Sequence, residues 1–99
     1  MAAYETFQLS ASGNVVAAVD GKKIRVHSYV VSAAGTVNVK WQSATDPTDL
    51  SGLLYLAVGA PFASGHSTYG HFETLRGEAL KLSLSASIAV GGHVTYSLI

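Results

Sequence analysis

The chain has 99 residues, zero formal net charge and 12 % charged residues against 48 % hydrophobic ones. That length predicts one domain, residues 1–99, with a core of modest size. The neutral balance excludes a basic stripe for nucleic acid, and the lack of cysteine excludes a disulfide framework and thiolate metal sites.

The opening segment MAAYETFQLS has no basic stretch followed by an apolar run, so no secretory signal is expected. Tyr4 to Leu9 is a first predicted strand, with Phe7 and Leu9 on its inner face. Residues 1–9 are also a candidate N-terminal arm. Ala11 to Asn14 is a turn cluster, and Asn14 to Val19 is a second strand. Asp20-Gly21 between apolar runs signals a two-residue hairpin.

The next stretch, GKKIRVHSYVVSAAGTVNVKWQS, is the predicted centre of the fold. It reads as a hairpin, Lys23 to Ser32 and Thr36 to Ser43, with Gly35 supplying a positive φ at the turn. Val37, Val39 and Trp41 alternate with Asn38, Lys40 and Gln42, so one face is dry and the other wet. Trp41 is the expected main core anchor. On the first strand, Ile24, Val26 and Val30 are expected inward. Arg25, His27, Tyr29 and Val31 then lie outward, and the row Arg25, His27, Tyr29 is a candidate contact surface.

Ala44 to Gly52 is a turn-rich loop in which Asp46-Pro47 discourages regular structure. Leu53 to Val58 is a strand. Gly59 to Gly70 (GAPFASGHSTYG) has no periodicity, and a loop of that length in a small domain is usually functional or an interface arm. His71 to Leu75 is a short strand and Arg76 to Glu78 a turn. Leu80, Leu82, Leu84 and Ala86 alternate with Lys81, Ser83 and Ser85, which marks a half-buried strand. Gly91-Gly92 is read as a turn before a last strand, His93 to Ile99, with Val94, Tyr96 and Leu98 on one face. The uncharged runs Leu50–Phe72 and Leu82–Ile99 are broken by glycine, proline or serine, so neither is a membrane span.

About eight short strands at spacings of about 8–12 residues indicate an all-β antiparallel sandwich or barrel. A jelly roll fits best; an immunoglobulin-like sandwich is the alternative.

Catalytic signals are weak. His66, His71 and Glu73 are the densest polar group, and two imidazoles with a carboxylate suit a zinc-like ion. Their spacing matches no zinc motif. The sequence around Ser67, G-H-S, is not the G-x-S-x-G elbow of a nucleophile. No enzyme activity, metal or other cofactor is expected. Ordinary soluble domains carry about 25 % charged residues. So sparse a charge favours a subunit that buries its surface in an oligomer. The candidate contact residues are Tyr4, Phe7, Arg25, His27, Tyr29, Pro61, Phe62, His66 and Tyr69.

The segments GKKIRVHSYVVSAAGTVNVKW, LSGLLYLAVGAP, FETLRGEALKLSLS and GGHVTY span Gly21 to Tyr96. Their pattern resembles a group of small all-β proteins encoded among the virion genes of tailed bacteriophages. The resemblance implies a non-enzymatic virion structural protein, above all a capsid decoration or cement protein. It would be made in the host cytoplasm and seated on the capsid surface. The implied partners are the major capsid protein and sister protomers, most often as a homotrimer, with neither nucleic acid nor membrane. The group supplies no catalytic or binding residue to carry over. The alternative is a receptor- or glycan-binding domain of a head or tail fibre, built on an exposed Tyr69–Tyr29 cluster.

Overall fold

Strand periodicity is expressed in ten strands: β1 (Ala2–Leu9), β2 (Gly13–Val16), β3 (Ile24–Ala33), β4 (Val37–Ser43), β5 (Thr48–Asp49), β6 (Leu54–Leu56), β7 (Phe62–Ala63), β8 (Phe72–Glu73), β9 (Leu80–Leu84) and β10 (Val90–Leu98). The structure is a computed structural model that describes residues 2–45 and 47–99. Met1 of the expected arm and Asp46 of the Asp46-Pro47 turn lie outside the described residues.

The strands form two five-stranded antiparallel sheets. One runs β1-β10-β3, and then β7 and β8 share the outer edge of β3. The other runs β2-β9-β4, and then β5 and β6 share the outer edge of β4. The pairings are nested. The first strand pairs with the last, β2 with β9, β3 with β7 and β8, and β4 with β5 and β6. Rolling that long hairpin adds the contacts β10–β3 and β9–β4. This is the jelly roll. Eight strand positions exist, as the spacing predicts, but two of them are filled by pairs of very short strands. The immunoglobulin-like alternative does not describe this order, because there the first two strands share a sheet, and here β1 and β2 do not.

The expected central hairpin does not form. β3 and β4 lie in different sheets, so Ala34 to Thr36 carries the chain across the sandwich. Gly35 accordingly is not among the glycines with positive φ. Asp20-Gly21 does turn, with Gly21 at φ 73 and Lys22 N–H donating to the Val19 carbonyl at 3.0 Å. That turn also links two sheets and closes no hairpin. Gly91 and Gly92 lie inside β10. β5 and β7 lie within stretches read as loop, because two-residue strands carry no period. β2 ends at Val16 and β9 at Leu84, short of the predicted Val19 and Ala86.

The core fills the space between the sheets. Val37, Val39 and Trp41 point into it, as their alternation predicts, and Trp41 is the largest fully buried side chain. Leu80, Leu82, Val90 and Val94 close over it from β9 and β10. Burying such side chains stabilises the fold by roughly 1.5–3 kcal/mol each. Phe7 meets the Trp41 ring edge-on at 5.9 Å, so the inner face of β1 is as expected.

β3 departs from its predicted phase. Its register against β10 slips between Thr95 and Tyr96: Thr95 faces Ser28, Tyr96 faces Val26, and His27 is the extra residue. A β-bulge of this kind reverses which face the following side chains take. Ile24 and Val26 point inward before it; Tyr29 and Val31 point inward after it, and Val30 does not. The expected outward position of Tyr29 and Val31 is therefore corrected.

Candidate functional site

The long edge of the sandwich, where the chain passes from the outer side of β4 to the outer side of β3, is built from residues 50–72. These 23 residues contain no Asp, Glu, Lys or Arg. Little regular structure holds them. Instead the serines serve as clamps. Trp41 N–H donates to Ser51 Oγ at 3.0 Å and Tyr29 N–H to Ser64 Oγ at 2.8 Å. Backbone bonds from Ser67 to His27 (2.9 Å) and from His71 to Val26 (2.7 Å) continue the seam. Side-chain hydroxyls substitute here for the ladder bonds that short strands cannot make.

Between these clamps the segment shows apolar side chains to solvent. Leu53, Tyr55, Val58, Phe62 and Tyr69 are all exposed, Tyr69 at 89 % and Tyr55 at 77 %. Phe62 is half anchored, because its ring stacks on Tyr29 at 5.7 Å. Pro61 and His66 are exposed on the same segment. The candidates Pro61, Phe62, His66 and Tyr69 thus share one edge, joined by Leu53, Tyr55 and Val58, which sequence reasoning missed. The uncharged run Leu50–Phe72 was the signal for them, of which only Gly59 to Gly70 is read from sequence as a contact loop.

The remaining contact candidates lie elsewhere. Tyr4 is exposed on β1, at 72 %, while Phe7 on the same strand packs on Trp41. Arg25 is half-buried and paired with Glu73. Tyr29 is in the core, 5.3 Å from the Trp41 ring centre, and burial pushes its hydroxyl above the ordinary tyrosine value. No Tyr69–Tyr29 platform is presented at the surface.

His27 sits at the bulge, nearly buried. Its Nδ1 lies 2.8 Å from the Ser67 carbonyl, which can only accept, so Nδ1 carries the proton and donates. Its Nε2 then accepts from Ser97 Oγ–H at 2.8 Å. A serine hydroxyl on a histidine is the contact from which nucleophilic catalysis starts. A triad further requires an orienting acid and an oxyanion site. Here a carbonyl occupies the place of the acid, and neither Ser97 nor His27 lines either groove on the outer face of the β1-β10-β3 sheet. The arrangement instead ties the 64–70 segment to β3 and β10.

The proposed metal set is dispersed into separate contacts. His66 stacks on His27 at 5.7 Å. His71 Nε2 meets the Gly65 carbonyl at 2.6 Å. Glu73 takes ion pairs from Lys23 at 3.3 Å and Arg25 at 3.2 Å. Partial burial works to raise the Glu73 pKa, but the hydrogen bonds from Arg25 and Lys23 outweigh it and hold the carboxyl below the ordinary glutamate range. Among the described residues no three His, Asp or Glu side chains converge on one point.

Two shallow grooves mark the outer face of the β1-β10-β3 sheet. One, of about 460 Å³, is lined by Ala3, Tyr4, Thr6, His93 and Thr95. The other, of about 380 Å³, lies over Gln8, Ser32 and the Gly91-Gly92 pair. Fold and surface together define a jelly-roll sandwich with a charge-free, apolar long edge. Comparison with family models, with curated proteins and with solved structures found no match.

Proposed function

We propose that the protein is a non-enzymatic structural subunit that docks by its apolar long edge onto another protein surface. We further propose that the assembly is a virion, in which it decorates the major capsid protein lattice as a homo-oligomer. The observation that carries the subunit reading is the 50–72 segment. Five large apolar side chains are exposed there with no charged residue between them. Contiguous apolar surface in a water-soluble domain marks contact sites, and aromatic residues dominate the energetics of such sites. The virion part of the reading rests on the sequence resemblance alone. A glycan-binding role draws less support, because burial of Tyr29 removes half of its expected aromatic platform.

The mechanism is geometric. A rigid sandwich bridging two neighbouring subunits opposes their separation, at about 800 Å² of buried surface per partner in a standard interface. The test is mass spectrometry of particles purified from cells that carry the gene. The chain is expected in them at many copies per particle, and particles free of it overturn the virion reading. The double variant Tyr55→Ser, Val58→Ser is expected to lose incorporation while keeping the urea midpoint of the isolated domain. Unchanged incorporation overturns the role of the long edge.

A further inference from the structure

β1 does not behave as a free arm. It pairs along its whole length with β10, from Ala2↔Ser97 to Leu9↔Val90. Its other side has no strand partner among the described residues. The hydrogen-bonding direction of each residue on that side follows from the ladder. Tyr29 gives its N–H to Ser64 Oγ and its carbonyl to Ser64 N–H, so both point away from β10. Val94, opposite Tyr29, therefore turns its N–H and C=O toward β1, where Glu5 answers them. Alternation then leaves the N–H and C=O of Tyr4, Thr6 and Gln8 directed outward along the open edge.

The four edges of the sandwich are not alike. β5, β6, β7 and β8 are two or three residues long, and β2 has four residues and an irregular register. Short and irregular strands are the usual defences of a sheet edge against pairing. β1 has eight residues, no proline and no bulge, and Glu5 is its one charge. Glu5, on the same face as Phe7, is the one defence where the edge is longest.

We infer that β1 pairs with β1 of a second copy of this chain, antiparallel across a two-fold axis at Thr6. The choice of occupant comes from the strand itself. Centring on Thr6 sets Thr6 opposite Thr6 and Tyr4 opposite Gln8. The outward groups of Tyr4, Thr6 and Gln8 are all used, in about six backbone bonds, two at each such pair. Glu5 then faces Phe7 of the other copy. Shifting the axis to Glu5 sets the two carboxylates directly opposite each other, which is destabilising. The pairing joins two five-stranded sheets into one and brings Gln8 of the second copy beside Tyr4, at the margin of the 460 Å³ groove. A contact of this symmetry closes as a dimer, not as the homotrimer the resemblance implies. It is independent of what the long edge docks onto.

Sedimentation velocity of the intact chain tests it. The expected result is a concentration-dependent species of twice the 10.3 kDa protomer mass. Amide exchange of Tyr4, Thr6 and Gln8 is expected to slow as that species forms. Thr6→Pro removes an N–H that serves only the open edge, so it is expected to abolish the dimer. Thr6→Lys puts two like charges face to face and is expected to do the same at low salt. Near-ultraviolet circular dichroism of Trp41 checks that both variants remain folded. Because the chain has no cysteine, Thr6→Cys provides a single thiol, expected to cross-link two copies on mild oxidation. A monomer at every concentration overturns the inference. So does a trimer, or a dimer that survives Thr6→Lys with rapid exchange at Tyr4, Thr6 and Gln8.

Discussion

Gly92 is the residue on which the β10–β3 pairing depends most narrowly. A Cβ at this position would collide with the carbonyl oxygen of Val30, a backbone atom in the centre of the sheet. At Gly91 an added Cβ meets chiefly the far end of the Gln8 side chain, which can swing away. Gly92→Ala is therefore expected to cost about 1–3 kcal/mol or more, in the range of overpacking, and Gly91→Ala clearly less. Urea midpoints of the two variants provide the comparison; equal losses would contradict the close-approach account. His27 works at the same scale. As the extra residue of a bulge it turns Tyr29 into the core, where Tyr29 supports Trp41 on one side and Phe62 on the other.

Single strands are held by devices that differ with their length. Long strands such as β3 and β10 rely on their ladder and on burial. β8 is two residues long and is tied further by Glu73, which joins Arg25 on the neighbouring strand β3 and Lys23 just before it. The depressed Glu73 pKa makes this tether pH-dependent in a defined direction. The folded-state pKa lies below the unfolded value of about 4.3, so the contribution is complete above that value. It is lost as pH falls through the folded pKa. Glu73→Gln is expected to lower stability at pH 7 by up to about 1 kcal/mol, the scale of a solvent-screened pair. The difference from the unsubstituted protein is expected to shrink as pH falls from 7 and to vanish once pH is below the folded-state pKa, where Glu73 is as neutral as glutamine. Chemical denaturation along a descending pH series measures it, and a gap that does not narrow in acid would assign the loss to packing.

The whole molecule is a nested set of long-range pairings. β1 must find β10, and β2 must find β9, before either sheet is complete. Closing such large loops has an entropic cost that precedes the gain from pairing, and domains dominated by non-local pairs fold in milliseconds to seconds. Trp41 is the one tryptophan and is fully buried, so its fluorescence reports formation of the core. Refolding followed by that signal is expected in the millisecond-to-second range. A full-amplitude microsecond phase would mean that the core forms from local contacts. At this scale the two exposed surfaces also separate. The apolar long edge lies on one side of the sandwich and the open β1 edge on the other, so docking and self-pairing need not compete.

The sequence alone determined the all-β class, most strand positions and the central place of Trp41. These follow from local alternation, because a residue's neighbours at i±2 dictate whether one face of a strand is dry. The inner residues of β1, β4 and β9 were legible for that reason. Which strands pair was decided only by the tertiary structure. Lys23 to Ser43 has the local signature of a hairpin, yet its strands separate into two sheets, because β3 pairs with the distant β10 and β4 with the distant β9. The bulge at His27 was equally hidden: one unpaired residue depends on the register of a strand about 70 positions away in the chain, and no local period records it. The long edge was half visible. Its lack of charge stood in the sequence, but the exposure of Leu53, Tyr55 and Val58 arises because a few buried side chains such as Leu56, together with the Ser51 and Ser64 hydroxyls, hold that segment in place and leave its other side chains outside.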